Sequence, residues 1–224
     1  MPSIPSWQKL NPIKSEMKRL AFYFDANACS GCKTCQIACK DKHNLPVGVN
    51  WRRVYEVTGG GWKRSGAAWV SSVIAYNISI SCNHCENPVC LEACPARAIS
   101  KAENGIVYID QQLCMGCKYC SWTCPYSALQ YDEERGVMTK CDMCFDYVSQ
   151  GKNPACVDAC PARAFEFGEY GELVEKHGES AHIHPLPDQR ITVPSNLITP
   201  HRSAMKEQNE SAIISNMEEI KHEQ

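Results

Sequence analysis

The run Cys114-Met-Gly-Cys117-Lys-Tyr-Cys120-Ser-Trp-Thr-Cys124-Pro125 narrows what this chain can fold into more than any other stretch. Cysteines at spacings of two, two and three residues, closed by proline, are a thiolate pattern that holds [4Fe–4S] cubes. Three cysteines two residues apart wrap one tight loop around a cluster. Gly116 is then expected to remove a Cβ where the backbone approaches inorganic sulfide. The fourth cysteine lies too far along the chain to close the same cube, and in two-cluster proteins it ligates the other one. Pro125 fixes φ and offers no N–H donor, which helps the chain turn away.

The spacing recurs in Cys29-Ser-Gly-Cys32-Lys-Thr-Cys35-Gln-Ile-Ala-Cys39, where Gly31 and Lys33 match Gly116 and Lys118. Phe22-Tyr23-Phe24-Asp25 and Val107-Tyr108-Ile109-Asp110 precede the two runs at equal distance. Two looser sets comprise Cys82, Cys85, Cys90 and Cys94-Pro95, and Cys141, Cys144, Cys156 and Cys160-Pro161. Three sets end alike, in Cys94-Pro-Ala-Arg-Ala-Ile, Cys124-Pro-Tyr-Ser-Ala-Leu and Cys160-Pro-Ala-Arg-Ala-Phe. All sixteen cysteines thus fall into four sets of four with none left over. This repeat implies an α+β fold of duplicated bacterial ferredoxin-like units, two double-cluster modules, with a β-hairpin insertion and extended terminal arms.

Composition excludes several other readings. Modules cut from 224 residues are too small to stand on side-chain packing alone, so metal binding is coupled to folding and the apo-chain is expected to be largely unfolded. The formal charge of −2 falls to roughly −10 once each oxidised cube brings about −2, which argues against nucleic acid. Disulfides would require an oxidising compartment. The stretch Met1-Pro-Ser-Ile-Pro-Ser-Trp-Gln-Lys-Leu has neither an apolar core of signal-peptide length nor twin arginines. Zinc favours paired C-x2-C knuckles over triple loops, and a zinc-stapled scaffold would be colourless where a cluster protein is brown. The most apolar window, residues 67–80, is broken by Ser71, Ser72 and Asn77, so no membrane span is expected.

Along the chain, residues 1–19 form a polar, basic arm. Residues 20–50 and 125–168 carry the first and fourth cysteine sets as an outer module, and 81–124 carry the second and third as an inner one. Residues 51–80 read as a hairpin around Gly59-Gly60-Gly61, with Trp51, Trp62 and Trp69 expected in a core. Residues 98–110 and 129–140 read as two further hairpins, the first turning at Asn104-Gly105. Phe145–Ala155 reads as a loop, and 169–224 as an extended tail. In that tail Glu172–His177 is expected to make one or two helical turns, and Ser203–Lys221 is either an amphipathic helix or a frayed end.

Every set counts four cysteines, which leaves no iron open to substrate. Electron transfer is therefore the favoured role, and no nucleotide loop, phosphate-binding lysine motif or isolated nucleophilic cysteine points to catalysis by the chain itself. His84, inside the second ligand loop, is expected to donate to cluster sulfur or solvent rather than to bind iron. Cubes with identical ligands must differ in potential through their surroundings. Lys33, Lys118, Lys140, Arg97 and Arg163 lie beside ligands and are the candidate tuning charges, with Lys140 expected to act on the cluster of Cys141 and Cys144.

The order of the four sets resembles the iron–sulfur subunits of membrane-bound molybdopterin oxidoreductases. The nearest likeness within them is to the electron-transfer subunits (the B components) of anaerobic dimethyl sulfoxide reductases. It is carried by Ala38-Cys39-Lys40-Asp41, Arg53-x-Tyr55-Glu56, Gly-Gly-x-Trp62, Ser79-Ile-Ser-Cys82-Asn-His-Cys85-Glu86, Met138-Thr-Lys-Cys141-Asp142 and His177-Gly178. The resemblance implies crossed ligand sets. Cys29, Cys32, Cys35 and Cys160 would hold cluster 1; Cys82, Cys85, Cys90 and Cys124 cluster 2; Cys114, Cys117, Cys120 and Cys94 cluster 3; and Cys141, Cys144, Cys156 and Cys39 cluster 4. It also implies a heterotrimer that takes electrons from a quinol-oxidising integral membrane anchor subunit to a molybdopterin catalytic subunit reducing dimethyl sulfoxide or a related acceptor. The complex is expected at the membrane through the anchor, on the periplasmic face by co-export with its partner, or else on the cytoplasmic face. Cys117 stands where nitrate reductase relatives carry tryptophan, so four [4Fe–4S] clusters are expected. The polar tail disfavours a formate dehydrogenase type. Polysulfide or thiosulfate reductase subunits and a soluble polyferredoxin remain as alternatives.

Overall fold

The computed structural model describes residues 19–205 and 212–219. The N-terminal arm expected over 1–19 therefore lies, apart from Arg19, outside the described residues. Short elements dominate because each cysteine run must curl into a loop before a helix can start. The helices are α1 (Thr34–Lys42), α2 (Val89–Glu92), α3 (Tyr119–Thr123), α4 (Phe145–Val148), α5 (Ala155–Asp158) and α6 (Tyr170–His177). Left-handed residues stop the loops ahead of three of them: Lys33 at φ 58°, Lys118 at φ 62° and Cys144 at φ 50°. Pro88 and Pro154 precede the other two short ligand-bearing helices. α4 corrects the expectation of a plain loop over 145–155, which begins with a helical turn.

The strands are β1 (Leu20–Asp25), β2 (Arg53–Gly59), β3 (Trp62–Ser65), β4 (Ala68–Ser71), β5 (Ile74–Ile80), β6 (Ile99–Lys101), β7 (Val107–Ile109), β8 (Gln130–Asp132), β9 (Val137–Thr139), β10 (Phe165–Glu169), β11 (Leu197–Thr199) and β12 (Ile213–Ile214). β1 joins the two ends of the molecule. It pairs antiparallel with β10, setting Phe22 opposite Phe167 and Phe24 opposite Phe165, each ring pair 5.1 Å apart. Its other edge pairs parallel with β11, Phe24 opposite Ile198. In the insertion β2 pairs with β5 and β3 with β4, while β6–β7 and β8–β9 are two-stranded hairpins. α1 packs on α5, and α2 on α3.

Three findings differ from the sequence reading. Residues 169–224 are not simply an extended tail: α6, β11 and β12 knit the described part into both three-stranded sheets, and Ile183, Leu186 and Leu197 are buried. Ser203–Lys221 forms neither of the expected states over its described residues, since β12 closes against Val57 and Thr58 and Met217–Glu219 makes a 3₁₀ turn. Of the three tryptophans only Trp51 enters the core, whereas Trp62 and Trp69 are 63% and 64% exposed. Every residue of their strands, β3 and β4, is exposed, so nothing among the described residues covers the hairpin. In addition, Leu129 and Met138 pack with Ile99 and Val107, so hairpin β8–β9 shares its core with the second and third cysteine sets. Among the described residues, no helix is long and apolar enough to cross a membrane.

Candidate metal centres

Eight of the cysteines line two cavities, each shared between the second and third runs. Cys114, Cys117 and Cys120 line one cavity together with Cys94 of the preceding set, backed by Ile99, Ile109 and Met138. Cys82, Cys85 and Cys90 line a second with Cys124, against Val107 and Leu129. The other eight interact with one another across the first and fourth runs. Cys29 feels the charge of Cys35, Cys160 and Cys32, while Cys39 feels Cys156 and Cys144, and Cys141 feels Cys39 and Cys156. Cys35 senses Cys156 as well as Cys160, so these two groups adjoin.

All sixteen thiols are free of disulfides. Burial pushes Cys29 up to about 11 and Cys39, Cys85, Cys120 and Cys144 up to about 12, with nearby sulfurs adding to the shift. Such thiols stay protonated until a cation displaces the proton, so metal binding is what makes them thiolates. Soft sulfur donors, four to a site, fit an iron–sulfur cube and fit hard cations poorly.

Backbone donors already point at the sulfurs. The N–H of Ala98 donates to Cys94 Sγ at 3.3 Å, that of Ala164 to Cys160 Sγ at 3.4 Å, and that of Met138 to Cys114 Sγ at 3.4 Å. Ala128 makes the corresponding bond to Cys124. The repeated Cys-Pro-x-x-Ala ending thus has a geometric cause: the residue before each alanine is left-handed, at φ 51° in Arg97, 50° in Ser127 and 49° in Arg163, and turns the next N–H back to sulfur. Gly31 and Gly116 are left-handed too, at φ 75° and 68°. Protein atoms crowd both positions. A Cβ on Gly116 would overlap the Gly136 carbonyl, and one on Gly31 would lie 2.6 Å from the Asn77 side chain.

The five tuning candidates separate sharply. Arg97 and Arg163 are exposed, so water and salt screen them. Lys33 pairs with Glu219 at 3.4 Å and Glu56 at 3.5 Å, and Lys118 lies 4.3 Å over the Tyr131 ring. Lys140 alone is deeply buried, 4% exposed, with its ammonium donating to the carbonyls of Val107 and Cys141. Its charge acts on Cys90 and on His84. His84 is fully buried, and burial together with Lys140 holds it well below the usual imidazole range, hence neutral. Its Nδ1 accepts from the Val107 N–H at 3.0 Å, which puts the proton on Nε2, and Nε2 has no protein partner among the described residues.

Some residues beside the sulfurs escaped the sequence reading. His43 Nε2 lies 3.3 Å from Cys144 Sγ, and Ser79 Oγ 3.3 Å from Cys35 Sγ. Arg52 lies buried among the thiols of the outer sets. One signal was available: two arginines lead directly into the apolar strand Val54-Tyr55, where a charge needs a reason.

Similarity to known proteins agrees with this chemistry. The family model for a 4Fe-4S dicluster domain matches residues 73–170. The B component of anaerobic dimethyl sulfoxide reductase from Escherichia coli (strain K12) is 45% identical over 199 residues, 89% of this chain and 97% of that protein. Its counterpart in Haemophilus influenzae is 45% identical over 205 residues, 91% and 100% of the two proteins. The B component of tetrathionate reductase from Salmonella typhimurium is 32% identical over 189 residues, 84% and 72%. With its sulfur quartets and this likeness along most of its length, the protein belongs to the family of anaerobic dimethyl sulfoxide reductase B components, the four-cluster [4Fe–4S] electron-transfer subunits.

Proposed function

We propose that this subunit passes electrons from a quinol-oxidising membrane anchor subunit to a molybdopterin catalytic subunit that reduces dimethyl sulfoxide or a related acceptor. The observation that supports the reading is that cysteines of different runs line common cavities, Cys94 with Cys114, Cys117 and Cys120, and Cys124 with Cys82, Cys85 and Cys90. The ligand sets follow the crossed scheme: Cys29, Cys32, Cys35 and Cys160 for cluster 1; Cys82, Cys85, Cys90 and Cys124 for cluster 2; Cys114, Cys117, Cys120 and Cys94 for cluster 3; Cys141, Cys144, Cys156 and Cys39 for cluster 4. Each cube supplies one-electron chemistry when bound. The chain's own residues hold the sulfurs, exclude water and donate N–H groups to them, as Ala98, Ala128 and Ala164 do. Modules built from the outer and the inner sets, each a duplicated ferredoxin-like unit, are supported by the packing of α1 on α5 and α2 on α3.

A conduit needs two open ends. Cys32 and Cys117 are the exposed cysteines, one in each tight loop. Around Cys117 lie Leu113, Met115, Tyr119 and Trp122, all exposed, the last 71%. This apolar ring suits an integral membrane subunit, which leaves the Cys32 end to the catalytic subunit. The complex then sits at the membrane through its anchor, on the periplasmic face by co-export. Proteolysis of intact spheroplasts tests the side, and protection there would put the complex on the cytoplasmic face.

Purified without oxygen, the protein is expected to contain sixteen irons and to leave the membrane in a stable trimer. About fourteen or fifteen irons with a strong oxidised three-iron resonance would mean that one site is not a cube. Isolation as a free, diffusible protein would favour a polyferredoxin. Activity of the trimer with polysulfide, thiosulfate or tetrathionate, and none with S-oxides, would move it to the sulfur-oxyanion branch that the tetrathionate reductase likeness represents.

The structure also redirects the Lys140 expectation. Lys140→Gln is expected to lower the potential of the cluster of Cys82, Cys85 and Cys90 by tens of millivolts, and to move that of Cys141 and Cys144 less, because the ammonium charge acts on Cys90. Redox-poised spectroscopy of variant and parent measures this, and unmoved midpoints would leave Lys140 a purely structural carbonyl clamp.

A further inference from the structure

Arg52 precedes β2, 2% exposed, at the place where the two outer quartets adjoin. Its guanidinium lies over the rings of Phe22 and Phe165, 4.9 and 4.7 Å from their centroids. It donates to Ser81 Oγ at 3.1 Å and to Ser79 Oγ at 3.5 Å. Ser79 accepts there, so its own proton is free for Cys35 Sγ, 3.3 Å away. On the other side the Arg52 backbone N–H donates to Cys39. Among the described residues no carboxylate pairs with the guanidinium, and its Nε has no partner. Although burial works against the charge, Cys156, Cys35, Cys141 and Cys39 hold the guanidinium pKa above its ordinary value. These sulfurs come from both outer quartets.

A buried cation without an acid is costly unless some anion answers it. Among the described residues nothing does so except sulfur. We propose that the Arg52 guanidinium is the shared countercharge of clusters 1 and 4, a single cation that raises the reduction potential of both. The inference rests on the four-cluster reading above. Reduction of either cluster adds one electron from the donor side of the chain, makes and breaks no bond and requires no proton. The added negative charge is met in each case by the same fixed cation. Arginine suits the task because it cannot deprotonate and its planar fork can address two serines at once.

The test is an anaerobic redox titration of the assembled complex, with cluster 1 identified by the signal lost in Cys35→Ser and cluster 4 by that lost in Cys156→Ser. In Arg52→Gln, with iron content equal to the parent, the reduction equilibria of both clusters are expected to shift at least tenfold toward the oxidised form. That shift is about 59 mV for a one-electron couple. The midpoints of clusters 2 and 3 are expected to stay in place, and Arg52→Lys, which keeps the charge, to restore most of the shift. Unmoved midpoints, or a shift confined to one of the two clusters, would overturn the proposal. So would an equal shift in Arg52→Lys, which would assign the effect to shape. Should Arg52→Gln lose its iron, Arg52→Lys decides alone: both midpoints near the parent's support the shared charge, while loss of iron there too would make Arg52 a structural residue. Sixteen irons and four midpoints in the parent test the four-cluster reading separately, so failure of one inference is not mistaken for failure of the other.

Discussion

Cys39→Ser and Cys156→Ser are expected to abolish the same midpoint of the four, while Cys35→Ser abolishes a different one. The sequence separation makes this outcome informative. Cys35 and Cys39 lie one helical turn apart on α1, whereas Cys156 is more than a hundred residues downstream on α5. Packing of α1 against α5 brings the distant pair together, and Cys156 is the strongest sulfur neighbour of Cys39. The same logic pairs Cys160→Ser with Cys29→Ser, Cys94→Ser with Cys114→Ser, and Cys124→Ser with Cys82→Ser. Serine is a hard, weakly binding replacement for thiolate, so each change is expected to remove a cube or convert it to a three-iron form. Iron analysis and low-temperature magnetic resonance of the variants read the result. If Cys39→Ser and Cys35→Ser silenced one midpoint and Cys156→Ser another, each set would close on its own fourth cysteine and the crossed scheme would fall.

Removing the iron should cost the chain its tertiary structure altogether. Seven of the ligands, Cys35, Cys39, Cys82, Cys141 and Cys156 in one core and Cys90 and Cys120 in the other, belong to the buried apolar clusters themselves. The surrounding hairpins β6–β7 and β8–β9 have only three residues per strand, and two-stranded ribbons of that size are not stable alone. Apparent free energies of structural metal sites run to about 10 kcal/mol or more in small domains, which exceeds the net stability of many folds. Anaerobic chelation is therefore expected to abolish near-UV circular dichroism and the cooperative thermal transition, and to open the chain to protease. Native-like protease resistance and a preserved transition in iron-free protein would show that side-chain packing suffices. The β2–β5 pair, with Val54, Val57, Ile74 and Ile78 buried, is the part expected to resist longest.

Ligand number, ligand type and the strand–loop–helix order were legible in the sequence because they are local. Spacing of cysteines, the glycine in each tight loop and the Asn104-Gly105 turn act over a few residues, and the structure keeps them where the sequence put them. Trp62 and Trp69 show the limit. Their composition matches a core strand, but exposure depends on whether another element arrives to cover them, and none among the described residues does. The tail shows the reverse, since nothing in Leu197-Ile198-Thr199 alone says that β1 has an open edge waiting for it. The charges divide in the same way. Lys33, Lys118, Lys140, Arg97 and Arg163 all lie within three residues of a ligand in sequence, yet only Lys140 is buried, and Arg52, near none, sits among four sulfurs. The sequence by itself determined that sixteen thiolates bind iron, because coordination chemistry depends on ligand type and short spacing. Only the tertiary structure decided which charges lie near those sulfurs, because electrostatic effect depends on distance through space and on burial, and neither is written in the order of residues.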